Sequence, residues 1–225
     1  MSYPSRLHSY IPLNRLSRFL TIVLCIGILF NLISIAMSVI SFTASEDINL
    51  GLNSNTAKPS GSVSIFSSDF TYLYGALYSM VFLTISIIFL YWFYRSYSNL
   101  YSLEVNGLKF SPIKAVGYCI IPIINLWKPY YIMKEIWTFS HAASLSNEFS
   151  LSFSLSDSNS NVKRWWVLFL FSIFFPLIGG SLFAQPISNV ITNIALILAS
   201  VMLISISKEI TMGQEKRYNS VNNTR

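Results

Sequence analysis

"FSPIKAVGYCIIPIINLWKP", residues Phe110 to Pro129, is the stretch that decides the fold, because it is apolar enough to enter a bilayer yet carries Pro122 in its middle. A helix needs about 20 apolar residues to cross the roughly 30 Å hydrocarbon core. Pro122 removes a backbone donor and clashes with the preceding turn, so a regular helix is interrupted there. Whether the stretch crosses the bilayer, dips into it or lies on its surface depends on the rest of the chain.

The composition excludes a soluble globular protein. Of the 225 residues, 53% are hydrophobic and only 11% are charged, whereas an ordinary soluble domain has about 25% charged residues. Cys25 and Cys119 stand alone in apolar stretches, without the paired spacing of a disulfide framework or a zinc site. We therefore expect a membrane protein that binds neither a metal nor a cofactor.

Four segments are long and apolar enough to cross the bilayer as helices. None contains Asp, Glu, Lys, Arg or His. Arg15 and Arg18 precede the first segment, but that segment is too long for a signal peptide, which favours a retained anchor. We expect an all-α membrane domain, 19–207, between an N-terminal segment, 1–18, and a tail, 208–225. The predicted spans are residues 19–42, 70–94, 165–183 and 187–206.

The distribution of Lys and Arg indicates how these spans are oriented. If residues 110–129 do not cross, all but Lys58 of the 15 Lys and Arg residues lie on one side of the membrane. If they do cross, the basic residues divide almost evenly between the two sides. The positive-inside rule favours the first arrangement, with both termini in the cytoplasm.

The opening stretch predicts a half-helix over residues 111–121. Ser111 is a suitable N-cap, and Pro112 fits the first helical position because its missing N–H would be unbonded there anyway. Such a helix spans roughly 15 Å, about half of the hydrocarbon core, and we expect residues 123–127 to return as extended chain. A re-entrant half-helix is our first interpretation, and a purely interfacial helix and a broken spanning helix remain alternatives.

A second short helix is predicted over residues 129–143, opened by Pro129. Ile132, Met133 and Ile136 share one face of this helix, while the opposite face is polar. The pattern fits an amphipathic helix in the plane of the membrane interface. It fits equally well a helix packed over the cytoplasmic ends of the spans.

The connecting segments are predicted mainly from their Ser, Asn and Gly content. The second span can extend to Asn106-Gly107, where glycine favours a left-handed helix end. Residues 43–69 are expected to form an outer loop, and the Ser-rich residues 144–162 a flexible linker inside. From Lys208 onward we expect a frayed helix end followed by disorder.

The sequence lacks the motifs of common catalytic and nucleotide-binding sites, with no GxxxxGK[ST], GxSxG, HExxH or GxGxxG. The spans also lack the ionisable residues that ion-coupled transporters place at membrane depth. We therefore predict a non-enzymatic scaffold or accessory subunit that binds a partner or lipid at its cytoplasmic face. The alternative is a small channel or carrier whose cavity is lined by residues 110–129. An enzyme, limited to Glu135, His141 and Arg95, comes third.

Five basic residues are predicted to converge near the half-helix on the cytoplasmic side. Clusters of this kind bind anionic lipid headgroups or another membrane protein, although the positive-inside rule alone explains the same charges. The basic residues form no continuous run, so nucleic acid is not an expected partner. The five are Arg95, Lys109, Lys114, Lys128 and Lys134.

The run "WFYRSYSNLYSLEVNGLKFSPIKAVGYCIIPIINLWKPYYIMKEIW", Trp92 to Trp137, resembles the hallmark segment of the bacterial membrane family catalogued as domain of unknown function 4328. The likeness lies in its Tyr-Arg, Phe-Ser-Pro, Ala-Val-Gly, Pro-x-x-Asn-Leu and Pro-Tyr-x-x-x-x-Glu-x-Trp elements. Ile113-Lys114 stand where relatives often have Gly-Trp, so a role of that Trp does not carry over. The resemblance implies a bacterial inner-membrane protein of four to five spans, without an assigned activity. The residues singled out for this structural motif are Ser111, Pro112, Gly117, Pro122, Asn125, Trp127, Pro129, Glu135 and Trp137.

Overall fold

A computed structural model describes the backbone of residues 10–51, 67–103, 105, 107–141 and 148–223. Side chains are described for the same residues except 44–51, 148–159 and 221–222. Across this part of the chain the regular structure is entirely helical. The elements are α1 (Asn14–Gly51), α2 (Ser68–Ser102), α3 (Pro112–Ile120), a short 3₁₀ helix (Ile124–Leu126), α4 (Lys128–His141), α5 (Glu148–Leu182) and α6 (Gln185–Asn223).

Four of these helices are long and apolar enough to cross a membrane, which confirms the predicted all-α class and the number of candidate spans. Each carries at least 18 consecutive apolar-rich residues, the length that a bilayer core demands. Their apolar surfaces are largely unburied within the protein, as expected for helices that face lipid. The four stretches are Asn14–Thr43, Ser68–Ser102, Ser160–Leu182 and Gln185–Ser220.

The four long helices form an open array rather than a closed bundle. Helix α1 packs against α2 on one side and α6 on the other, and α6 packs in turn against α5. Helices α2 and α5 therefore stand at the two ends of the array and make few direct contacts within the described residues. A gap between α2 and α5 follows from this order.

One end of the array carries the short helices and most of the buried core. There the backbone N–H of Ile11 donates to Asn99 Oδ1 at 3.2 Å, and Trp166 Nε1–H donates to the carbonyl oxygen of Leu126 at 3.0 Å. Four segments consequently lie together at this end: the start of the described chain, the end of α2, the start of the α5 span and the end of α6. We call this end the hub, defined by the described residues within 10–24, 92–141, 160–170 and 199–218.

The hub has a tightly buried centre. Ile132, Met133 and Ile136 of α4 are completely buried, and α4 packs against α6, α5 and α2. Whether this helix lies in the membrane interface or over the cytoplasmic ends of the spans stays a prediction. Residues 142 and 143, the end of the predicted second helix, lie outside the described residues. The largest fully buried side chains of the protein are Leu13, Leu20, Trp92, Phe93, Tyr97, Leu100, Ile132, Met133, Ile136, Ile206, Ile210 and Gln214.

Several helices are longer than the sequence predicts. Helix α5 begins at Glu148, where a linker was expected, because residues 148–162 contain no Gly or Pro to interrupt a helix. Helix α6 continues to Asn223, so the expectation of fraying and disorder after Lys208 is wrong. The physical reason is that Ile210 and Gln214 are completely buried in the hub. Helix α1 likewise extends to Gly51, and residues 52–66 of the predicted outer loop lie outside the described residues.

The half-helix forms as its local signals predict. Ser111 Oγ accepts a hydrogen bond from the Lys114 N–H at 3.4 Å, Pro112 is the first helical residue, and α3 ends at Ile120. The expected extended return is wrong, because Ile124–Leu126 form a 3₁₀ turn. The Asn125 N–H in this turn donates to Ile121 O at 2.8 Å. Gly107 has a φ of +87°, as predicted for a left-handed position, but α2 already ends at Ser102.

Candidate functional site

A buried polar network joins three helices at the centre of the hub. Gln214 of α6 is fully buried, and its Nε2 donates to Ser96 O of α2 at 2.9 Å and to Ser140 Oγ of α4 at 3.2 Å. Its Oε1 accepts from Asn99 Nδ2 at 3.2 Å. Asn99 also donates to Ile11 O at 2.9 Å, which attaches the segment before α1. Because buried polar groups are costly when unpaired, this network fixes the four elements in one arrangement.

Helix α4 lies unusually close to α6 beside this network. A Cβ added at Gly213 would lie 2.6 Å from the Ser140 carbonyl oxygen, so a larger residue would push the two backbones apart. One turn further on, Arg217 Nη1 donates to Phe139 O at 3.2 Å. A carbonyl at the end of α4 thus receives a charged donor, as helix C-termini favour.

The two ends of the described chain meet on the hub surface. Asn14 Nδ2 donates to Glu215 Oε1 at 3.0 Å, and the rings of Tyr10 and Tyr218 stack with centroids 4.2 Å apart. Burial and the neighbouring Glu215 charge raise the pKa of Tyr10 to about 12. The Tyr10 phenol is therefore neutral at physiological pH.

Glu135 of α4 holds the loop that leads into α3. Its Oε1 accepts from Tyr97 Oη at 3.1 Å and from the backbone N–H of Lys109 at 2.7 Å. Tyr97 Oη in turn accepts from the Phe110 N–H at 2.9 Å. The predicted motif residue Glu135 thus positions the start of the half-helix.

The candidate imidazole of the enzyme hypothesis is also engaged internally. His141 Nδ1 lies 2.9 Å from Trp137 O, and its ring stacks on the Trp137 indole at a centroid distance of 4.3 Å. Trp137 is buried, and its Nε1–H is without a hydrogen-bond partner in the described structure, like that of Trp92. These contacts give His141 a packing role at the end of α4.

The stretch formed by residues 110–129 doubles back on itself. Lys128 Nζ lies 5.5 Å from the ring centroid of Phe110 and 5.9 Å from that of Tyr118, within range of a cation–π interaction. Phe110 itself is anchored by Tyr97. The beginning and the end of the stretch are therefore adjacent in space.

The five predicted cations occupy differing environments around this stretch. Lys109 and Lys114 are exposed, whereas Arg95, Lys128 and Lys134 are half-buried. Within the described residues none of the five forms an ion pair with a carboxylate. Lys128 is the one placed against aromatic rings, and the convergence of all five on one ligand stays a prediction.

The remaining motif residues divide between packing and exposure. Pro129 is buried in the hub, while Pro122 and Trp127 are exposed. Gly117 has open space where a Cβ would stand, so no close approach explains it. Asn125 instead lines a cavity, together with Cys119 and Pro129.

That cavity has a volume of about 340 Å³ and extends from residues 110–129 into the space between the long helices. Its hub end is formed by Cys119, Asn125, Pro129 and the indoles of Trp165 and Trp166. The stretch thus forms a floor beneath a space between the long helices.

The sequence reasoning missed Asn99, Ser140 and Gln214, the residues that connect the hub. The apolar and small residues of the last part of α6, at positions 206, 210 and 213, follow helical spacing and are the signal that this tail packs against something. The partners in this network are far apart in the chain, as with Gln214 and Ser96, which are 118 positions apart. No local pattern indicates such a pairing.

Among the described residues no group of three or more His, Cys, Asp or Glu side chains is arranged to hold a metal ion.

Comparison with known proteins gives one result. No curated protein and no solved structure matches the chain. A family model described as Domain of unknown function (DUF4328) matches residues 55–208, well over half of the chain. The resemblance of the Trp92 to Trp137 run is thereby confirmed, and this protein belongs to the DUF4328 family.

Proposed function

We propose that this protein is a non-enzymatic, multi-pass protein of the bacterial inner membrane, with the hub and both termini in the cytoplasm. The support is electrostatic, since every described Lys and Arg residue belongs to the hub end of the array. Cytoplasmic segments next to membrane helices carry such an excess of positive charge. A cysteine at Ser160, labelled from the inside and not from the outside of intact cells, tests this orientation.

We further propose that residues 110–129 form a re-entrant segment. The stretch starts beside Tyr97, reaches the cavity floor at Asn125 and returns at Lys128 beside Phe110. Nine helical residues of α3 rise roughly 14 Å, enough to enter the bilayer and too short to cross it. Irregular backbone is tolerated at such depth where protein shields it from lipid, as the Trp166 bond to Leu126 O does.

The role we propose is that of a scaffold or accessory subunit that binds anionic lipid headgroups or an acidic partner surface at the hub. One observation carries this proposal: the hub presents cations that no described carboxylate neutralises, on a framework held rigid by the Gln214 network. Rigid presentation lowers the entropic cost of binding. Unpaired basic groups beside membrane helices attract anionic headgroups.

A lipid titration tests this role. We expect the protein in nanodiscs to recruit a phosphatidylglycerol analogue in preference to a phosphatidylcholine analogue. The triple change Lys114→Gln, Lys128→Gln and Lys134→Gln should reduce that preference at least fivefold. A matched triple change, Arg18→Gln, Lys208→Gln and Lys216→Gln, removes the same charge elsewhere on the hub and should have a smaller effect. Equal losses in the two variants would contradict a specific site.

A partner protein is the other ligand class within this proposal. Purification from native membranes with mild detergent should then recover a second polypeptide with the wild type and not with the Lys114, Lys128 and Lys134 variant. Recovery unaffected by these changes would place the partner surface elsewhere.

A small channel or carrier is the second candidate function. It is favoured by the cavity whose floor includes Asn125 and Pro129 of the broken segment. Purified protein in liposomes should then conduct ions or small solutes without any partner. Liposomes that remain as tight as protein-free ones would exclude this function.

A further inference from the structure

The cavity above the floor is long, apolar and enclosed on three sides. Along α2 its lining runs from Tyr78 to Leu90, which corresponds to roughly 18 Å of helix. Leu24 of α1 and Leu196 and Leu203 of α6 form the back wall. Among the described residues, no Asp, Glu, Lys, Arg or His side chain lines it. Its chemistry is therefore that of a hydrocarbon-binding site.

The fourth side of the cavity opens between α2 and α5. Phe82 of α2 and Ile173 of α5 both line the cavity and are 49% and 45% exposed, so they stand at its open edge. Nearer the hub the gap is closed, since the Phe89 and Trp165 rings approach with centroids 6.1 Å apart. The opening thus lies in the part of α2 and α5 that is apolar enough to cross a membrane.

Away from the hub end, the polar side chains of the lining are satisfied within the protein. Tyr78 Oη donates to Asn31 Oδ1 at 3.2 Å, and Asn31 Nδ2 donates to Gly27 O at 2.7 Å. Ser86 and Ser200 each donate to the carbonyl four residues earlier in their own helix. A stable water needs two to four free polar partners. These bonds make a hydrated pathway unfavourable along most of the cavity.

We propose that the cavity binds one fatty-acyl chain of a bilayer phospholipid, which enters between α2 and α5. The medium outside the opening is hydrocarbon, so a neighbouring lipid chain is already next to the site. The volume of about 340 Å³ falls within the roughly 300–1,000 Å³ of typical small-molecule sites. An unfilled cavity would forfeit the dispersion contacts of its lining.

The hub end of the cavity offers a place for the polar part of the lipid. The side-chain amide of Asn125 lines the cavity and forms no hydrogen bond to the described residues. It is suited to donate to an ester carbonyl at the base of the chain. This site is separate from the proposed headgroup surface, since none of the five cations lines the cavity.

Photo-crosslinking tests the proposal. The protein is reconstituted with phosphatidylcholine or phosphatidylglycerol that carries a diazirine in the middle of one acyl chain, irradiated and mapped by peptide mass spectrometry. Ala199 and Leu203 line the cavity and are 4% and 6% exposed, whereas Leu198 and Val201 of the same helix are about half exposed. We expect adducts on the first pair with both lipids, because the chain is what the cavity holds.

Two variants complete the test. Ser200→Phe fills the cavity from α6, and Ser86→Phe fills it from α2. The quantity compared is the ratio of adducts on the buried pair, Ala199 and Leu203, to adducts on the exposed pair, Leu198 and Val201. Each variant should reduce this ratio at least fivefold. Ser79→Phe makes the same change on the exposed surface of α2, away from the cavity, and should leave this ratio unchanged. Adducts restricted to the exposed pair, or a ratio unaffected by both filling variants, would overturn the proposal. A failure of headgroup preference in the nanodisc titration would leave this result intact.

Discussion

The hub and the rest of the four long helices are held together differently. We call the second region the membrane half, because it consists of the parts of the apolar stretches that lie outside the hub. In the hub, α2, α4 and α6 share a buried apolar centre and the Gln214 network. In the other half, most apolar side chains point outward, and α2 and α5 make few contacts among the described residues. There the links between helices are local, such as the Tyr78 bond to Asn31 or the approach of Gly27 to Ile85.

In the orientation proposed above, with the hub in water and the rest of the long helices in the bilayer, this difference follows from the surrounding medium. Water drives apolar side chains together in the hub, and a buried polar network then selects one arrangement of the elements. In hydrocarbon that driving force is absent, so helices associate through small residues and individual hydrogen bonds. The membrane half can therefore hold a cavity open to lipid, whereas the hub has to close around its core. Four comparisons of variants measure how large this difference is.

The largest effect is expected at the centre of the hub. Gln214→Ala removes three hydrogen bonds and opens a void, and we expect it to lower the free energy of unfolding by about 3 kcal/mol. Met212→Ala, two positions away and 53% exposed, is the control and should cost far less. Denaturant titration in detergent micelles measures both. Equal losses would mean that the network does not hold the hub together.

A glycine pair compares the two regions directly. In Gly213→Ala the new methyl group meets the Ser140 backbone at 2.6 Å, and we expect a loss of about 2 kcal/mol from overpacking. Gly75→Ala in the membrane half of α2 meets nothing within 4 Å and should gain up to about 1 kcal/mol from helix propensity. Thermal unfolding of both variants gives the comparison. A neutral Gly213→Ala would show that α4 and α6 are free to separate.

Glu135→Gln tests the attachment of the half-helix to the hub. The amide still offers an acceptor to Tyr97 and Lys109, but the charge that strengthens both bonds is lost. We expect a loss of about 1 kcal/mol, seen as faster hydrogen exchange at the Lys109 and Phe110 amides. Lys134→Gln on the same helix is the charge-removing control. If hydrogen exchange at Lys109 and Phe110 is unchanged in Glu135→Gln, contacts other than those of Glu135 hold the loop that leads into α3.

The smallest effect is expected for a single hydrogen bond in the membrane half. Tyr78→Phe removes the bond to Asn31, and double-mutant cycles on membrane helices place such bonds at about 0.6 kcal/mol. Tyr72→Phe, at a 77% exposed position of the same helix, is the reference. A loss for Tyr78→Phe as large as that for Gln214→Ala would erase the distinction between the two regions.

The features that the sequence predicts correctly are local ones. The Ser111 cap, Pro112 at the first helical position and the end of α3 before Pro122 each depend on neighbouring residues only. The four candidate spans follow from length and apolar composition. The family resemblance also rests on one continuous run, and the family match covers it.

The features that the sequence does not predict depend on contacts between distant segments. The last part of α6 is polar in composition, and it is helical because Ile210 and Gln214 are buried against other elements. The helical start of α5 is hidden by its Ser-rich composition, which is typical of a linker, and only the absence of Gly and Pro permits a helix there. The cavity arises from the order of packing of α2, α1, α6 and α5, which no single segment encodes.

The contrast between the two regions depends on the hub closing its end of the cavity, which in the proposed orientation is the cytoplasmic end. The most direct measurement replaces Cys25 and Cys119 with Ser, introduces Asn125→Cys, and exposes cells and inverted vesicles to a charged, membrane-impermeant thiol reagent. We predict no labelling from either side of the folded protein, with full labelling after denaturation, because position 125 faces an apolar cavity closed by the hub. Labelling of folded protein from the cytoplasmic side would contradict this, since it requires a water-filled path through the hub to the cavity floor.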